Sequence, residues 1–432
     1  MNTTVRVQLS VMMFLQFFVW GAWFVTMATY LGGTLDFTGA EIGLAYSTTA
    51  IAAMISPFFV GMIADRFFAT ERVLGVFHIL GGLSLFWASV ITTPTFFIWV
   101  LILHTLFYMP TLALVNALSF HQMKDPGREF PPIRVLGTIG WIAAGWMIVL
   151  LGSVTGSSIE ATSLPLKLGA GFAILLGIYC FFLPHTPPQA RGKKVTARDV
   201  LGLDALKLMK ERSFLVFVIS SLLICIPLAF YYNWTNPFLN NIGMENPAGK
   251  MTFGQISEIV FLLVMPFLFV RLGIKKMLMI GMFAWSLRYV LFAFGNNEAL
   301  VFMLYGGIIL HGICYDFFFV AGQIYVDKKA PVAIRGAAQG FIAFITLGVG
   351  MFIGFNISGW VVDYNTVSDG VFNWQGIWLV PAIMALAVLI GFALLFRERD
   401  ALAEAKLEDE DRVPAPTNPA PASQPEGPWA KT

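Results

Sequence analysis

Charged side chains are scarce in this sequence. Only 12% of the 432 residues are Asp, Glu, Lys or Arg, whereas 57% are hydrophobic. A soluble protein of this length exposes far more charge to water. The composition therefore excludes an ordinary soluble globular protein and predicts an integral membrane protein embedded in a lipid bilayer.

Signatures of catalysis, metal binding and disulfide formation are also missing. Cys180, Cys225 and Cys314 all lie in apolar runs, which favours packing roles over disulfides or metal ligands. No Ser/His/Asp arrangement, zinc-ligand spacing or glycine-rich phosphate loop is visible. We therefore predict that the chain is not an enzyme, holds no metal or other cofactor, and has no nucleic-acid partner.

Long apolar runs dominate the chain. A helix that crosses about 30 Å of hydrocarbon needs roughly 20 apolar residues. Twelve candidate spans begin near residues 7, 41, 72, 96, 130, 166, 214, 251, 275, 299, 333 and 373. The first run is too long for a signal peptide and is predicted to be a retained helix. Lipid leaves exposed backbone groups unsatisfied, and the runs lack the alternation of membrane strands, so an all-α membrane protein follows.

Basic residues lie mainly in alternate loops, which predicts the orientation. These loops contain Arg66 and Arg72, Lys124 and Arg128, seven basic residues from Arg191 to Arg212, Arg271, Lys275 and Lys276, and Lys328 and Lys329. Both termini are therefore expected in the cytoplasm. The charged, Pro/Ala-rich residues 399–432 are expected to form a disordered cytoplasmic tail.

Weak internal repetition divides the spans into two sets of six. Arg66 and Arg271 follow the second span of each set, 205 residues apart, and Arg134 and Arg335 open the fifth, 201 residues apart. We predict two pseudo-symmetric six-helix bundles, as in the major facilitator fold, with a substrate cavity between them. The predicted domains are a first bundle (1–185), a cytoplasmic linker (186–213), a second bundle (214–398) and the tail (399–432).

The loop GMIADRFFATER after the second span resembles the loop signature of the major facilitator superfamily. Asp65, Arg66 and Arg72 could form a cytoplasmic charge network that gates the carrier. The alternative is an ordinary loop whose basic residues only set the orientation.

Few polar groups lie within the spans, where they are costly and usually face a cavity or a partner. Gln255 and Glu258 share one helix face. Together they could bind hydroxyl groups, and because burial favours a neutral carboxyl group, Glu258 could carry a proton. The alternative is a Gln–Glu pair that bonds a neighbouring helix.

Arg288 and Asp316 have opposite charges on consecutive spans. They could form an ion pair that fixes the second bundle, contact substrate directly, or take part in a proton relay. His311 lies near Asp316, where it is either a packing residue or a substrate contact.

Aromatic residues make up 15% of the chain. Those near polar groups could stack on a flat ring. The candidates include Trp141, Tyr232, Tyr315 and Phe319, and Asn233 adds a polar side chain beside Tyr232.

Several segments resemble the nucleoside:proton symporters of the major facilitator superfamily. They include FLQFFVWGAWFVTMATYL, YMPTLALVNALSF, FPPIRVLGTIGW, LGLDALKL, QISEIVF, RLGIKKMLMI, YDFF and AIRGAAQG, and they cover nearly the whole chain except the tail. FPPIR followed by GTIG, and QISE, are the more specific matches.

The resemblance implies uptake of a nucleoside driven by a proton gradient, across the cytoplasmic (inner) membrane of a bacterium. It places Arg134, Thr138 and Trp141 in the first half of the cavity, and Gln255 and Glu258 on the ribose hydroxyls. Tyr315 would contact the base or sugar, and Asp316 would be a charged partner. The family's better-known members have a glutamine and an asparagine where this chain has Ala229 and Tyr232, and an aromatic residue where it has His311.

Alternative functions remain open from the residues alone. Hydrogen-bonding groups with aromatic rings would also suit a sugar or glycoside carrier. A non-transporting nutrient sensor is a further alternative, although the short tail does not resemble the large cytoplasmic domain of such sensors. For the function that the resemblance implies, the expected co-substrates are a nucleoside and a proton, and the protein is expected to be a monomer.

Overall fold

The computed structural model describes residues 1–59, 68–188, 202–331, 334–368 and 370–397. Eight of its helices are long and apolar enough to cross a membrane. One of these helices, Pro247–Phe294, contains two predicted spans joined at a kink, so the eight helices correspond to nine predicted spans. The remaining three predicted spans are the helices Gly39–Phe59, Thr70–Ala88 and Leu164–Cys180. The described helices thus account for the twelve predicted spans.

The first half contains spans 1 to 6. Span 1 is Thr3–Phe24 and Met27–Thr34, span 2 is Gly39–Phe59, span 3 is Thr70–Ala88, span 4 is Pro94–His121, span 5 is Pro126–Thr155 and span 6 is Leu164–Cys180. Spans 1 and 5 pack closely, since a Cβ at Gly140 would collide with the backbone of Phe14.

The second half contains spans 7 to 12, preceded by the 3₁₀ helix Leu203–Lys210. Span 7 is Arg212–Asn241, spans 8 and 9 form Pro247–Phe294, and span 12 is Trp374–Leu395. Span 10 consists of four consecutive helical segments, Val301–Ile309, His311–Tyr315, Asp316–Val320 and Ala321–Lys329. Span 11 consists of three, Arg335–Ala343, Phe344–Gly350 and Met351–Tyr364. A short antiparallel pair, β1 (Thr366–Ser368) and β2 (Val371–Phe372), joins spans 11 and 12.

The break between spans 8 and 9 lies at Gly273. Its backbone angles, φ 70° and ψ 172°, fall in a region that is open almost only to glycine. A residue with a side chain would be strained there, so the chain can reverse direction without a separate loop. The predicted boundary near residue 275 was therefore close to the observed one.

The largest hydrophobic core crosses between the halves. It contains Trp23 and Tyr46 of the first half together with Phe230 and Tyr231 of the second. A smaller core, which includes Leu9 and Leu114, belongs to the first half alone. The chain thus combines packing within each bundle with an apolar interface between them, and this interface contains the candidate site.

Span 5 begins earlier than predicted. Asp125 caps it by accepting a hydrogen bond from the Arg128 backbone N–H at 3.3 Å, and Pro126 occupies the first turn. Arg134 therefore lies about two turns inside the helix rather than at its start. In contrast, Arg335 is the first residue of Arg335–Ala343 and pairs with Asp327.

Candidate functional site: a cavity between the two halves

A cavity lies between the two halves. Spans 1, 5, 7 and 8 line it with Gly21, Val25, Trp141, Gly145, Ile148, Tyr231, Tyr232, Ala248, Met251, Thr252 and Gln255. Its lining combines apolar and aromatic side chains with a few polar groups, here the Thr252 hydroxyl and the Gln255 amide, which is typical of small-molecule sites.

Arg134 stacks on an aromatic ring of span 1. Its Cζ atom lies 4.3 Å from the centre of the Phe17 ring, within the range of a cation–π contact. Gly137, one turn further along span 5, leaves room for this contact, because a Cβ there would lie 2.6 Å from Phe17 and 2.9 Å from Arg134 Nη1. Thr138 follows on the same span and is partly exposed. Arg134 is thereby fixed beside the interface between the halves.

Five aromatic residues, which we call the aromatic wall, connect the halves across the cavity. They are Trp20, Phe24, Trp141, Tyr231 and Tyr232. The Trp141 ring lies 5.6 Å from that of Trp20 and 6.3 Å from that of Phe24, both edge to face. Phe24 then meets Tyr232 at 5.7 Å, and Tyr232 meets Tyr231 at 5.9 Å. These distances are typical of favourable aromatic pairs.

His311 lies behind this wall. Its ring stacks on that of Tyr231, with centroids 5.1 Å apart and an angle of 17° between the planes. The side chain is buried and is absent from the cavity lining. Tyr315 lies beside His311 at 6.0 Å, and Phe319 packs between Tyr315 and Trp285. His311 and Phe319 therefore support the cavity residues from outside the lining.

Small residues bring spans 8 and 10 together. Ser257 Oγ donates a hydrogen bond to the Ile309 carbonyl at 2.5 Å and accepts one from the Gly312 backbone N–H at 3.2 Å. A Cβ at Gly312 would collide with Ser257, and one at Gly254 would lie 3.0 Å from His311. This close approach places Glu258 of span 8 beside the polar segment of span 10.

Four polar residues from both halves form what we call the charged cluster: Arg134, Glu258, Tyr315 and Asp316. Glu258 interacts electrostatically with Arg134, and Asp316 with Glu258, while Tyr315 interacts with all three. No direct ion pair joins Arg134 to Glu258, and Glu258 is only partly buried. Gln255, one turn from Glu258, lines the cavity. The cluster can thus offer donors and acceptors to a hydroxylated solute.

Of the three roles considered for Arg288 and Asp316, the ion pair between them is not formed. Arg288 is fully buried on span 9, and its Cζ lies 4.1 Å from the centre of the Tyr231 ring. None of its guanidinium nitrogens, and neither carboxylate oxygen of Asp316, forms a hydrogen bond with a described residue. Arg288 instead packs on span 7, and Asp316 begins the π-helical turn of span 10. Such turns are frequent at functional sites.

One face of span 7 packs against span 11 instead of the cavity. Asn233 is fully buried, and its amide donates a hydrogen bond to Ser358 Oγ at 3.1 Å. Ala229 lies close to Gly354, because a Cβ atom added at Gly354 would be 2.7 Å from the Cβ of Ala229. A larger side chain at 229 would separate these spans. Tyr232 lies on a different side of the helix from Asn233 and remains in the cavity lining.

The predicted cytoplasmic charge network lies largely outside the described residues. Asp65 and Arg66 both belong to that undescribed part of the chain. Arg72 is exposed in the first turn of span 3. A gating role for the three residues stays a prediction.

Sequence reasoning missed Phe17, Met251 and Thr252. Phe17 lies in a run so rich in apolar residues that no pattern distinguishes it. Thr252 precedes Gln255 by three residues, so the helical spacing that paired Gln255 with Glu258 could also have identified it.

Known proteins resemble this chain over nearly its full length. A family model described as nucleoside H⁺ symporter matches residues 1–401. A protein of Escherichia coli K12 described as a putative nucleoside transporter, YegT, is 44% identical over 423 residues, which are 95% of this chain and 98% of that protein. The xanthosine permease of the same organism is 36% identical over 409 residues, 91% of this chain and 96% of its own length.

A solved structure also matches. The crystal structure of the nucleoside transporter NupG superposes with a TM-score of 0.83 at 34% identity, over 92% of this chain and 100% of that one. The fold is accordingly that of a major facilitator transporter, with two six-helix bundles in a multi-pass membrane protein. The chain belongs to the nucleoside H⁺ symporter family.

Proposed function

We propose that this protein imports nucleosides together with protons across the cytoplasmic membrane of a bacterium, by alternating access. Both termini would then face the cytoplasm. The observation that carries the proposal is the charged cluster, because Arg134 comes from one half and Glu258, Tyr315 and Asp316 from the other. A solute bound between them contacts both halves, which is the arrangement that couples binding to their relative rocking.

The chemistry of the cavity favours a neutral solute with hydroxyl groups and a flat ring. Gln255 and Glu258 lie one turn apart and can bind neighbouring hydroxyl groups of a ribose. The rings of Trp141 and Tyr232 offer surfaces on which a base can stack. A nucleotide would demand several cations for its phosphates, whereas Arg134 is the cluster's one cation.

Arg134 and Thr138 would donate hydrogen bonds to the bound nucleoside from the first half. Tyr315 would contact the base or the sugar from the second half. His311 and Phe319 would act by positioning Tyr231 and Tyr315. Asn233, whose amide is engaged with Ser358, drops out of the set of proposed substrate contacts.

Glu258 is the proposed proton carrier, with Asp316 as the second candidate. An ionised side chain within a membrane-spanning helix is costly, so proton uptake and substrate binding at Glu258 would be coupled. The proton and the nucleoside enter from outside, the halves rock, and both leave into the cytoplasm. The carrier is proposed to function as a monomer.

The test is uptake of labelled uridine into proteoliposomes, with and without an imposed inward proton gradient. Unlabelled nucleosides, free bases, nucleotides and sugars serve as competitors. We expect concentrative uptake only with the gradient, and competition by nucleosides alone. Competition by sugars in preference to nucleosides would instead identify a sugar or glycoside carrier. Binding without flux would identify a sensor.

A further inference from the structure

A buried carboxylate joins the halves at the end of the spans opposite the chain termini, which we call the outer end. Glu160, in the loop between spans 5 and 6, is 2% exposed. It accepts hydrogen bonds from Asn236 Nδ2 at 2.7 Å and Asn240 Nδ2 at 3.0 Å, both on span 7. It also accepts one from the Ala248 backbone N–H at 3.0 Å, in the first turn of span 8. All three donors belong to the second half.

The bond to Ala248 replaces a cap that span 8 lacks within its own half. Asn246 occupies the N-cap position, but its side chain forms no capping hydrogen bond. The first N–H groups of a helix have no partner within that helix, and a carboxylate is favoured there by the helix dipole. Glu160 therefore caps a helix of the opposite half, the same helix that carries Glu258.

A second carboxylate repeats this arrangement in the reverse direction. Asp363, at the end of span 11, accepts a hydrogen bond from the Gly39 backbone N–H at 2.5 Å and one from Ala40 at 2.8 Å. Gly39 and Ala40 begin span 2. Here the second half supplies the carboxylate and the first half supplies the start of the helix.

The two contacts are related by the internal repeat. Glu160 follows span 5 and caps span 8, the second span of the other half. Asp363 ends span 11, the fifth of its half, and caps span 2. The two carboxylates are 203 residues apart, between the repeat distances of 201 and 205 residues found for the arginines.

Close backbone packing depends on the same interfaces. A Cβ at Gly359 would collide with the Gly39 carbonyl, and one at Gly43 would lie 2.5 Å from the Phe355 carbonyl. A Cβ at Gly145 would lie 3.0 Å from the Ala248 carbonyl. Any separation of the halves at the outer end therefore breaks the carboxylate bonds, because the donors and acceptors lie on opposite sides of the interface.

We propose that Glu160 and Asp363 are a pair of outer latches, each a carboxylate of one half that caps a helix of the other, and that they hold the outer end of the carrier closed. Opening toward the outside requires both caps to be released into water. The latches set the population of the outward-open state, and they do not contact the substrate. The inference rests on alternating access in the proposed function, but it concerns residues distinct from the charged cluster.

The test measures the outer opening directly in the full chain, without nucleoside or flux. Spin labels at Ser157→Cys and Glu245→Cys report the separation of the halves, since both positions are exposed and lie at the outer end in different halves. The native cysteines are buried and label poorly. Glu160→Ala and Asp363→Ala are compared with the unmutated carrier in lipid nanodiscs.

We expect each latch variant to raise the ratio of long to short distances by roughly tenfold, the factor that corresponds to about 1.4 kcal/mol. Glu41→Ala is the matched control. Glu41 is also a carboxylate at the start of span 2, but it accepts its hydrogen bonds from Thr38 within its own half. This control should leave the distances unchanged.

Distances that stay unchanged in both latch variants would overturn the proposal, as would an equal shift in Glu41→Ala. Asp363 is exposed, so its variant stays informative if Glu160→Ala fails to fold. Because no transport is measured, a negative result leaves the proposed nucleoside import untouched. Loss of uptake in a charged-cluster variant would likewise not contradict the role proposed for Glu160 and Asp363.

Discussion

The guanidinium of Arg134 lies 4.3 Å from the centre of the Phe17 ring, beside the cavity. Its counterpart in the repeat has a different environment, because Arg335 forms an ion pair with Asp327 through Nε and Oδ1 at 3.4 Å. The two corresponding arginines thus differ, because Arg134 lies inside span 5 against an aromatic ring whereas Arg335 begins a helix and is held by an ion pair. The difference gives a matched pair of variants.

Arg134→Ala is predicted to weaken nucleoside binding by about tenfold or more, since a hydrogen bond to a charged group contributes about 1.5–3 kcal/mol. Equilibrium binding of labelled uridine to purified protein measures the change. Arg335→Ala removes an equivalent charge away from the cavity and should bind uridine as the unmutated protein does. Equal losses in the two variants would argue against a direct role for Arg134.

Trp141→Ala is predicted to reduce affinity by about tenfold, because stacking of a base on an aromatic side chain contributes about 1–3 kcal/mol. Trp141→Phe should retain most of the affinity. Trp146, on the same span, is 49% exposed and absent from the cavity lining, and it supplies the control Trp146→Ala. If Trp146→Ala lost as much affinity as Trp141→Ala, general destabilisation of span 5 would explain both.

Gly312→Ala is predicted to lower the melting temperature and the rate of uptake together. The added Cβ would collide with Ser257 and the backbone at Glu258, so spans 8 and 10 would have to separate. Overpacking of this kind costs about 1–3 kcal/mol. Gly171→Ala is the control, since a Cβ at Gly171 meets no atom within 4 Å. A melting temperature unchanged in Gly312→Ala would contradict the tight contact.

Closure of the outer end is predicted to depend on pH through Glu160. Burial raises the pKa of this carboxyl group, and the hydrogen bonds from Asn240, Ala248 and Asn236 offset part of the rise. These neutral donors are the groups that face it from spans 7 and 8. In an outward-open state, water surrounds the group and its pKa returns to about 4.3. The closed state then binds the proton more tightly.

Lowering the pH through the range between the raised pKa of the closed state and about 4.3 should therefore favour closure. The expected result is a falling share of long Ser157–Glu245 label distances in the unmutated carrier as the pH falls from 8 to about 5. Glu160→Gln cannot take up a proton at this position, so it should lack the part of the pH response that comes from Glu160. Glu258 and Asp316 are present in both proteins and cannot cause a difference between them. Identical pH profiles in the two would remove Glu160 as the titrating group.

The sequence allowed prediction of the span count, the two halves, and Trp141 of span 5 and Gln255 of span 8 as cavity-lining residues. These features follow from apolar run length and from residues one helical turn apart, such as Gln255 and Glu258. It could not establish which neighbour each face meets. Asn233 looked like a cavity residue because it is polar, yet its partner Ser358 lies 125 residues further along the chain.

Glu160 carried no signal at all in the sequence. It lies in a polar loop, where an acidic residue is ordinary, and its role depends on a helix start in the other half. The positions of Arg288 and Asp316 could not be predicted for a related reason. Opposite charges on consecutive spans suggested an ion pair as one possibility, but the rotation of each helix is not visible in the sequence. Arg288 is directed toward Tyr231, whereas Asp316 belongs to the charged cluster.

The central claim, proton-driven nucleoside import through Glu258, is tested most directly by labelled uridine transport in proteoliposomes containing Glu258→Gln. Two modes are compared in the same preparation, namely accumulation driven by an inward proton gradient and exchange of internal for external uridine without a gradient. We predict that accumulation is lost while exchange persists, because the amide can still accept a hydroxyl hydrogen bond but cannot carry a proton. Accumulation equal to that of the unmutated carrier would contradict the assignment of Glu258 as the coupling residue.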